Sequence, residues 1–325
     1  MRIDLHVHLA GIGGGCFVSP KMRRSIVYHA LKRTLKIDDR EPVESTRRYA
    51  ERLATLLETS KELDYACIFA MDGVYDGAGE LLPAESHLYV PNGYVFEVCK
   101  ASPKLLPVIS INPQRKDALE ELTRWGPQAV ALKWLGPLQK FDASNKAYEP
   151  FYDLLKELRL PVIAHSGCEH TFPGMEQRLG DPLLYEPVVK RGIPVFFSHC
   201  GTGSLVFPGH DYSGNFISLM ERYENVYGDT SAFCSLLRWH QLKRFGADKY
   251  VNRIFHGSDW PIPSSSVYFL PALGFNAVRL LERDRHPLDR DAATKRAMGL
   301  PDQVFHGAYE VLKDRIAAWE AIRTS

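Results

Sequence analysis

The sequence predicts a single (β/α)8 barrel of the TIM type, on the basis of two recurring patterns and the chain length. Eight short apolar runs recur along the 325 residues, and segments with helical spacing separate them. Strands this apolar need cover on both faces, which a parallel barrel ringed by helices provides. Such barrels commonly form one domain of about 250 residues or more. No linker, low-complexity tract or repeat interrupts the pattern, so we expect one domain over residues 1–325.

The predicted strands follow one another in a regular order. They cover residues 3–8, 65–70, 106–111, 129–133, 161–165, 194–199, 225–228 and 253–256. Helical spacing between them is clearest where Tyr148, Phe151, Leu155 and Leu158 form one apolar stripe. Residues 264–282 and 302–323 also show a helical pattern and are expected to close the barrel after strand eight.

Two long connections, β1–α1 and β2–α2, are expected at the mouth of the barrel. The first, residues 9–40, contains a glycine-rich stretch and carries seven basic residues against Asp38 and Asp39. The second, residues 71–92, contains the turn signals Asp72-Gly73 and Asp76-Gly77. A basic segment at a barrel mouth is either a lid that attracts an anionic substrate or a solvated surface, and we favour the solvated surface.

Composition excludes several classes of function. The 40 Lys and Arg residues nearly balance the 39 Asp and Glu residues, which gives no reason to expect a nucleic-acid partner. The longest apolar runs are far shorter than the ~20 residues that span a bilayer, so no membrane partner is expected. The N-terminus shows no signal-peptide pattern, which predicts a cytoplasmic protein. Its six scattered cysteines are predicted to be free thiols.

Ligand-type side chains stand at the ends of four predicted strands. His6 and His8 lie two positions apart at the end of strand one, so the strand period places both imidazoles on the same face. His165 ends strand five, His199 ends strand six, and Asp259 follows strand eight. Each of these residues alone is more often a core histidine or a capping aspartate. Five of them at one rim predict a site for a divalent cation.

The same residues, in the same order, resemble the amidohydrolase superfamily, and its aminocarboxymuconate-semialdehyde-decarboxylase-like branch in particular. The resemblance runs nearly end to end. It includes the segments LPVISINP at 106–113, ALKW at 131–134 and LPVIAHSG at 160–167. These motifs are specific to the fold and the metal, and much less specific to the substrate.

The resemblance implies a metal site with assigned roles. His6, His8, His165 and Asp259 would hold one ion, with Zn²⁺ favoured over other divalent metals and water at an open position. Asp259 would also act as the base for this water. His199 would stand beside it as acid, base or electrostatic partner. General chemistry agrees, because zinc with three imidazoles and a carboxylate can bring the pKa of a bound water to about 7.

Lys133, at the end of strand four, has more than one interpretation. In the binuclear branches of the superfamily a carboxylated lysine at this strand bridges two metals, with the strand-five and strand-six histidines on the second ion. The resemblance therefore leaves Lys133 and His199 as candidate ligands of a second ion. In the decarboxylase-like branch the lysine is generally not a bridge, and this chain lacks the usual His-Pro after it. We favour one ion, with a surface-paired structural lysine as a further alternative.

Other residues are candidates for substrate contacts. Lys133 and four ring-bearing residues, Trp134, His170, His210 and Trp260, follow predicted strands or lie in mouth loops. Asp229 and Ser231, after strand seven, could form hydrogen bonds at the mouth.

We expect a metal-dependent hydrolase acting on an amide, ester or lactone of a small, carboxylated organic substrate. Non-oxidative decarboxylation of an aromatic or unsaturated carboxylate is the alternative at the same site. A non-catalytic barrel with a structural metal is a third alternative, but it does not explain His199. The resemblance also implies a homodimer or larger oligomer.

Overall fold

The strands pair side by side in chain order and form a parallel barrel, as predicted. The computed structural model of the protein describes residues 1–205, 209–246 and 248–324. The eight strands are β1 Ile3–His8, β2 Tyr65–Phe69, β3 Leu105–Ile109, β4 Ala131–Trp134, β5 Val162–His165, β6 Val195–Ser198, β7 Val226–Asp229 and β8 Ile254–Phe255. Their side chains are almost entirely buried, because the barrel core covers one face and the helices cover the other.

Backbone hydrogen bonds between β1 and the segment that begins with β8 close the barrel. Leu5 N donates to His256 O at 3.0 Å, and His8 N donates to Trp260 O at 2.8 Å. A further parallel bridge joins Val7 to Trp260. The closure brings the C-terminal end of β1 next to the residues that follow β8, so their side chains share one rim.

Helices surround the barrel, and one or more follow each strand. They are α1 Pro20–Arg23, α2 Ile26–Leu35, α3 Pro42–Thr59, α4 Asn92–Lys100, α5 Ala118–Trp125, α6 Gly136–Gln139, α7 Glu149–Glu157, α8 Glu186–Val189, α9 Ser213–Arg222, α10 Leu242–Phe245, α11 Leu270–Arg283, α12 Pro287–Ala297 and α13 Gln303–Thr324. Short 3₁₀ turns occur in several of the connections. In the described ranges, no helix is both long and apolar enough to cross a bilayer.

The sequence pattern predicts two helices after β8, whereas the structure has three, and the additional one is α12. Its buried face is polar and includes Asp291 and Lys295, so the sequence shows no apolar stripe. Lys295 Nζ forms a buried ion pair with Asp291 at 2.5 Å and donates to the carbonyl of Gly257 at 2.7 Å. The helix therefore supports the backbone just before Asp259.

The two long mouth connections are joined to each other. Phe17–Val18 from the first pairs with Leu88–Tyr89 from the second as a small antiparallel sheet. The rings of Phe17 and Tyr89 stack with their centroids 4.9 Å apart. We refer to residues 9–40 together with 86–90 as the cap, because α1 and α2 lie over the mouth of the barrel.

Candidate metal centre

Three ligand-type atoms converge where β1 ends beside the segment after β8. His6 Nε2 lies 3.2 Å from His8 Nε2 and 3.2 Å from Asp259 Oδ1. His8 Nε2 lies 3.3 Å from the same carboxylate oxygen. The period of two places both rings at this point, and the backbone N–H of Asp259 donates to His6 O at 2.9 Å. The structure therefore brings together three of the four predicted metal ligands.

Asp229, the last residue of β7, orients this group through a hydrogen bond to His6. Its Oδ2 atom accepts a hydrogen bond from His6 Nδ1 at 3.0 Å. Its Oδ1 atom accepts from the backbone N–H groups of His199 at 2.8 Å and Ser231 at 3.0 Å. A carboxylate on Nδ1 fixes the proton there and leaves the lone pair of His6 Nε2 directed at His8 and Asp259.

A second group of ligand-type atoms adjoins the first. His165, Glu169 and His199 place one nitrogen or oxygen each within 4.8 Å of one another. The rings of His165 and His199 lie 5.0 Å apart, and that of His199 lies 5.2 Å from the ring of His6. His165, the fourth predicted ligand, thus clusters with Glu169 and His199, directly beside the first group.

Hydrogen bonds leave nitrogen lone pairs of the second group available. His199 Nδ1 lies 3.0 Å from the carbonyl oxygen of Ser231, to which it can donate. This bond leaves Nε2 of His199 as an acceptor. His165 Nε2 is buried and has no hydrogen-bond partner among the described residues. An orphaned buried nitrogen beside other acceptors is the pattern that a bound cation resolves.

Glu169 is a site residue that the sequence-based reasoning missed. It is half-buried, and its Oε1 accepts hydrogen bonds from the backbone N–H groups of His170 at 2.7 Å and Thr171 at 2.6 Å. Burial alone would raise its pKa, but the charge of Arg238 and the hydrogen bonds from Thr171 lower it. In the sequence, Glu169 could have been identified only as an acidic residue four positions beyond the end of β5, in a mouth loop.

Burial favours the neutral form of three of the imidazoles, those of His6, His165 and His199, and metal ligands must be neutral. Burial lowers the pKa of His165 to about 3 and the pKa values of His6 and His199 well below their ordinary range. Nearby cations lower all three further. Burial also raises the pKa of Asp259, which is the effect that a bound cation would reverse.

The donor set fits a divalent metal. With the proton of His6 on Nδ1, His6 Nε2 is an acceptor, as is a carboxylate oxygen of Asp259. These two atoms lie 3.2 Å apart, and a cation bound between them would turn this unfavourable contact into a favourable one. Two imidazoles and a carboxylate, with His165 nearby, are ligands that suit zinc and similar metals.

Lys133 is fully buried inside the barrel, so the alternative of a surface-paired lysine is wrong. Its Nζ donates to Ser198 Oγ at 2.8 Å and lies 4.7 Å from the centre of the Phe69 ring. Burial lowers its pKa to about 8, against the opposing charges of Asp229 and Asp259. The structure thus provides the buried surroundings that favour a neutral lysine. The second group already contains a carboxylate, that of Glu169, without carboxylation of Lys133.

Arg238, in the loop after β7, is a second residue that sequence reasoning missed. It is buried, and its guanidinium donates to the carbonyl of Cys168. Its Nε has no hydrogen-bond partner among the described residues. Its charge contributes to the lowered pKa values of His165 and His199. A fixed cation therefore lies beside both groups of ligand-type residues.

The structure places the other predicted substrate contacts away from the cavity. Trp134 points outward from β4 and packs against Phe151 and Tyr152 of α7. Trp260 faces an outer groove. His170 and His210 are exposed and absent from the cavity wall, and the ring of His210 lies against the hydroxyl group of Tyr212. Alternation along β4 sends Lys133 inward and therefore Trp134 outward.

Comparisons with known proteins give a family match and solved structures of the same fold. The family model described as amidohydrolase matches residues 3–299. No curated protein matches the sequence significantly.

Solved structures show the same fold at low sequence identity. An uncharacterised TIM-barrel protein from Bordetella bronchiseptica shares 15% identity, covers 97% of this chain and 99% of its own, and has a TM-score of 0.60. The 2,6-dihydroxybenzoate decarboxylase from Rhizobium shares 14%, covers 96% and 98%, and has a TM-score of 0.56. A Pseudomonas putida protein assigned as a 2-pyrone-4,6-dicarboxylic acid hydrolase shares 15%, covers 96% and 97%, and has a TM-score of 0.54.

Proposed function

The chain belongs to the amidohydrolase family, and on this premise we propose that it is a metal-dependent hydrolase that adds water to the carbonyl carbon of an amide, ester or lactone. The observation that carries the proposal is the convergence of His6 Nε2, His8 Nε2 and Asp259 Oδ1 within 3.2–3.3 Å. These atoms, with His165, would hold one divalent ion, for which zinc is our choice. Such an ion supplies a Lewis acid and lowers the pKa of water to about 7.

The residues of the chain then have separate tasks. Asp259, whose carboxylate lies at the ligand group and lines the cavity, would accept the proton of the attacking water and deliver it to the leaving group. His199 directs Nε2 toward the same space, because Nδ1 is engaged by Ser231, and would stabilise the charge that develops on the carbonyl oxygen. Arg238, buried beside these residues, adds positive potential near the site, which would favour an anionic group on the substrate.

Decarboxylation is a second candidate, and the walls of the cavity favour it. Most residues around the space above the ligand groups are apolar. A carboxylate held at the ligand groups beneath these walls would lose part of the hydration that stabilises its charge, which promotes loss of neutral CO₂. Because the 2,6-dihydroxybenzoate decarboxylase of Rhizobium has the same fold, hydroxylated benzoates belong in the substrate panel.

One experiment separates these reactions. The purified protein is treated with a chelator, reloaded with Zn²⁺, Mn²⁺ or Co²⁺, and incubated with esters, amides, lactones and unsaturated carboxylates. Metal-dependent release of an acid without CO₂ supports hydrolysis, whereas release of CO₂ from a carboxylate supports decarboxylation. Turnover that is equal before and after metal removal would refute both proposals.

A further inference from the structure

The cavity above the ligand groups is a largely apolar space roofed by the cap. Its volume, measured out to the open mouth, is about 880 Å³. His8, His165, His199 and Asp259 line it at the barrel end. Thirteen of its 22 lining residues are apolar or tyrosine, so polar chemistry is concentrated at the barrel end.

The helix α2 supplies one wall and shows why the wall is apolar. Tyr28, Leu31 and Leu35 recur at intervals of three and four residues and face the cavity. The basic residues that the sequence places in this segment lie mainly on the other side. Lys21, Arg24, Arg33, Lys36 and Arg40 are all exposed.

The one basic side chain of α2 that lines the cavity is already paired with an acidic side chain. Lys32 lines the cavity, and its ammonium group forms an ion pair with Asp39. Arg23 pairs with the same carboxylate at 3.0 Å, and the hydroxyl group of Tyr28 donates to it at 2.5 Å. The basic cap therefore presents an apolar inner surface to the cavity, and its charges are neutralised or solvated outside.

The opposite walls have the same character. Leu88 from the second mouth connection, Leu135 after β4, Phe172 after β5 and Ile262 after β8 complete the enclosure. Among the polar residues of the upper wall, His87 is engaged, because its Nδ1 lies 2.7 Å from Ser19 Oγ. A small substrate with polar groups on every side would leave most of them without partners here.

We propose that the substrate carries an apolar hydrocarbon group of several carbon atoms, which lies under the cap while the reacting polar bond lies at the ligand groups. This inference rests on the proposed function for the nature of the reacting end, and on the cavity wall alone for the hydrocarbon group. It narrows the expected substrate from any small, carboxylated organic compound to one that is polar only at its reacting end.

Calorimetric titration with 1-butanol and 1-octanol tests the cavity separately from the reaction, because neither alcohol can be hydrolysed or decarboxylated. Each methylene that leaves water tightens binding about three- to fourfold, so 1-octanol, with four more methylenes, should bind about 80- to 250-fold more tightly than 1-butanol. Leu31→Asp, which places a charge on the cavity wall, should remove most of this difference. Ile26→Asp on the exposed side of the same helix is the matched control and should preserve it.

The outcomes distinguish the two proposals. Strong chain-length dependence that Leu31→Asp removes supports the hydrocarbon site, even if no hydrolysis or decarboxylation is found. Equal affinity for both alcohols, or equal loss in the Leu31 and Ile26 variants, overturns the hydrocarbon site even if the protein proves to be a metal-dependent enzyme. The titrations are run on the zinc-loaded full chain and repeated after chelation.

Discussion

His6 Nδ1 lies 3.0 Å from Asp229 Oδ2, and both side chains are completely buried. The carboxylate orients the imidazole and fixes its tautomer, and its other oxygen accepts from the backbone N–H of His199 at 2.8 Å. One side chain at the end of β7 thus positions a residue of each ligand group. A change at Asp229 should therefore alter the metal site without removing any of its ligands.

Asp229→Asn should weaken zinc binding about 10- to 100-fold. An asparagine has one oxygen, and if that oxygen accepts from His6, the NH₂ group faces the backbone N–H groups of His199 and Ser231. Donors then face donors, and these hydrogen bonds are lost. Competition with a chromogenic chelator measures the affinity. Asp289→Asn is the control, because this buried carboxylate accepts hydrogen bonds from residues 60–62, outside the ligand groups. Equal affinity of the Asp229 variant and the wild type would contradict the orienting role.

His199→Asn should keep the bound zinc while kcat falls about 10²- to 10⁴-fold. The reason is that, under the proposed function, His6, His8, His165 and Asp259 would supply the ligand set without it. Zinc content by elemental analysis and turnover on a substrate found in the screen are measured on the same preparation. Loss of the metal from this variant would place His199 among the ligands instead.

Lys133→Met should change how stability depends on pH. Burial lowers the pKa of the folded lysine from 10.5 to about 8. Between these values the unfolded chain binds more protons than the folded chain, so the unfolding free energy of the wild type rises with pH. The rise is about 3 kcal/mol at most. Below pH 8 the cost of burying the charge is fully present.

Urea unfolding of the metal-free protein at pH 7, 8, 9 and 10 measures this effect. The difference between Lys133→Met and the wild type isolates the lysine, because both proteins share all other titrating groups. The variant should be the more stable protein at pH 7, and its advantage should shrink toward pH 10. A constant difference across this range would show that the lysine does not titrate there.

Trp134→Ala should lower the unfolding free energy by about 3–5 kcal/mol, because it empties a packed site between β4 and α7. Trp134→Phe fills most of this space and should cost less. Since the indole does not face the cavity, the KM of the Phe variant should stay within about twofold of the wild-type value. A raised KM at full stability would instead return Trp134 to the substrate site.

The sequence was informative about the barrel and its rim for a definite physical reason. Strand periodicity and strand ends are local properties, and they were enough to predict where His6, His8, His165, His199 and Asp259 would lie. Glu169 and Arg238 lie in irregular loops, whose course is decided by distant packing. The helix α12 was missed because it buries an ion pair, Asp291 with Lys295, and not an apolar stripe.

The apolar character of the inner face of the cap could not be predicted from composition either. A count of basic residues in 9–40 suggests a positive mouth, but the count ignores which side of α2 each residue occupies. Tyr28, Leu31 and Leu35 face inward, and the exposed basic residues do not. Asp39, from the same segment, pairs with two of the remaining cations.

The small sheet that joins Phe17–Val18 to Leu88–Tyr89 has a consequence for redesign. Because the roof is assembled from two connections of the barrel, neither can be transplanted alone without leaving unpaired backbone groups and half of a stacked aromatic pair. A library that varies substrate scope should exchange both segments as one cassette and leave the strand ends untouched. Selectivity and reactivity would then be adjusted on separate parts of the molecule.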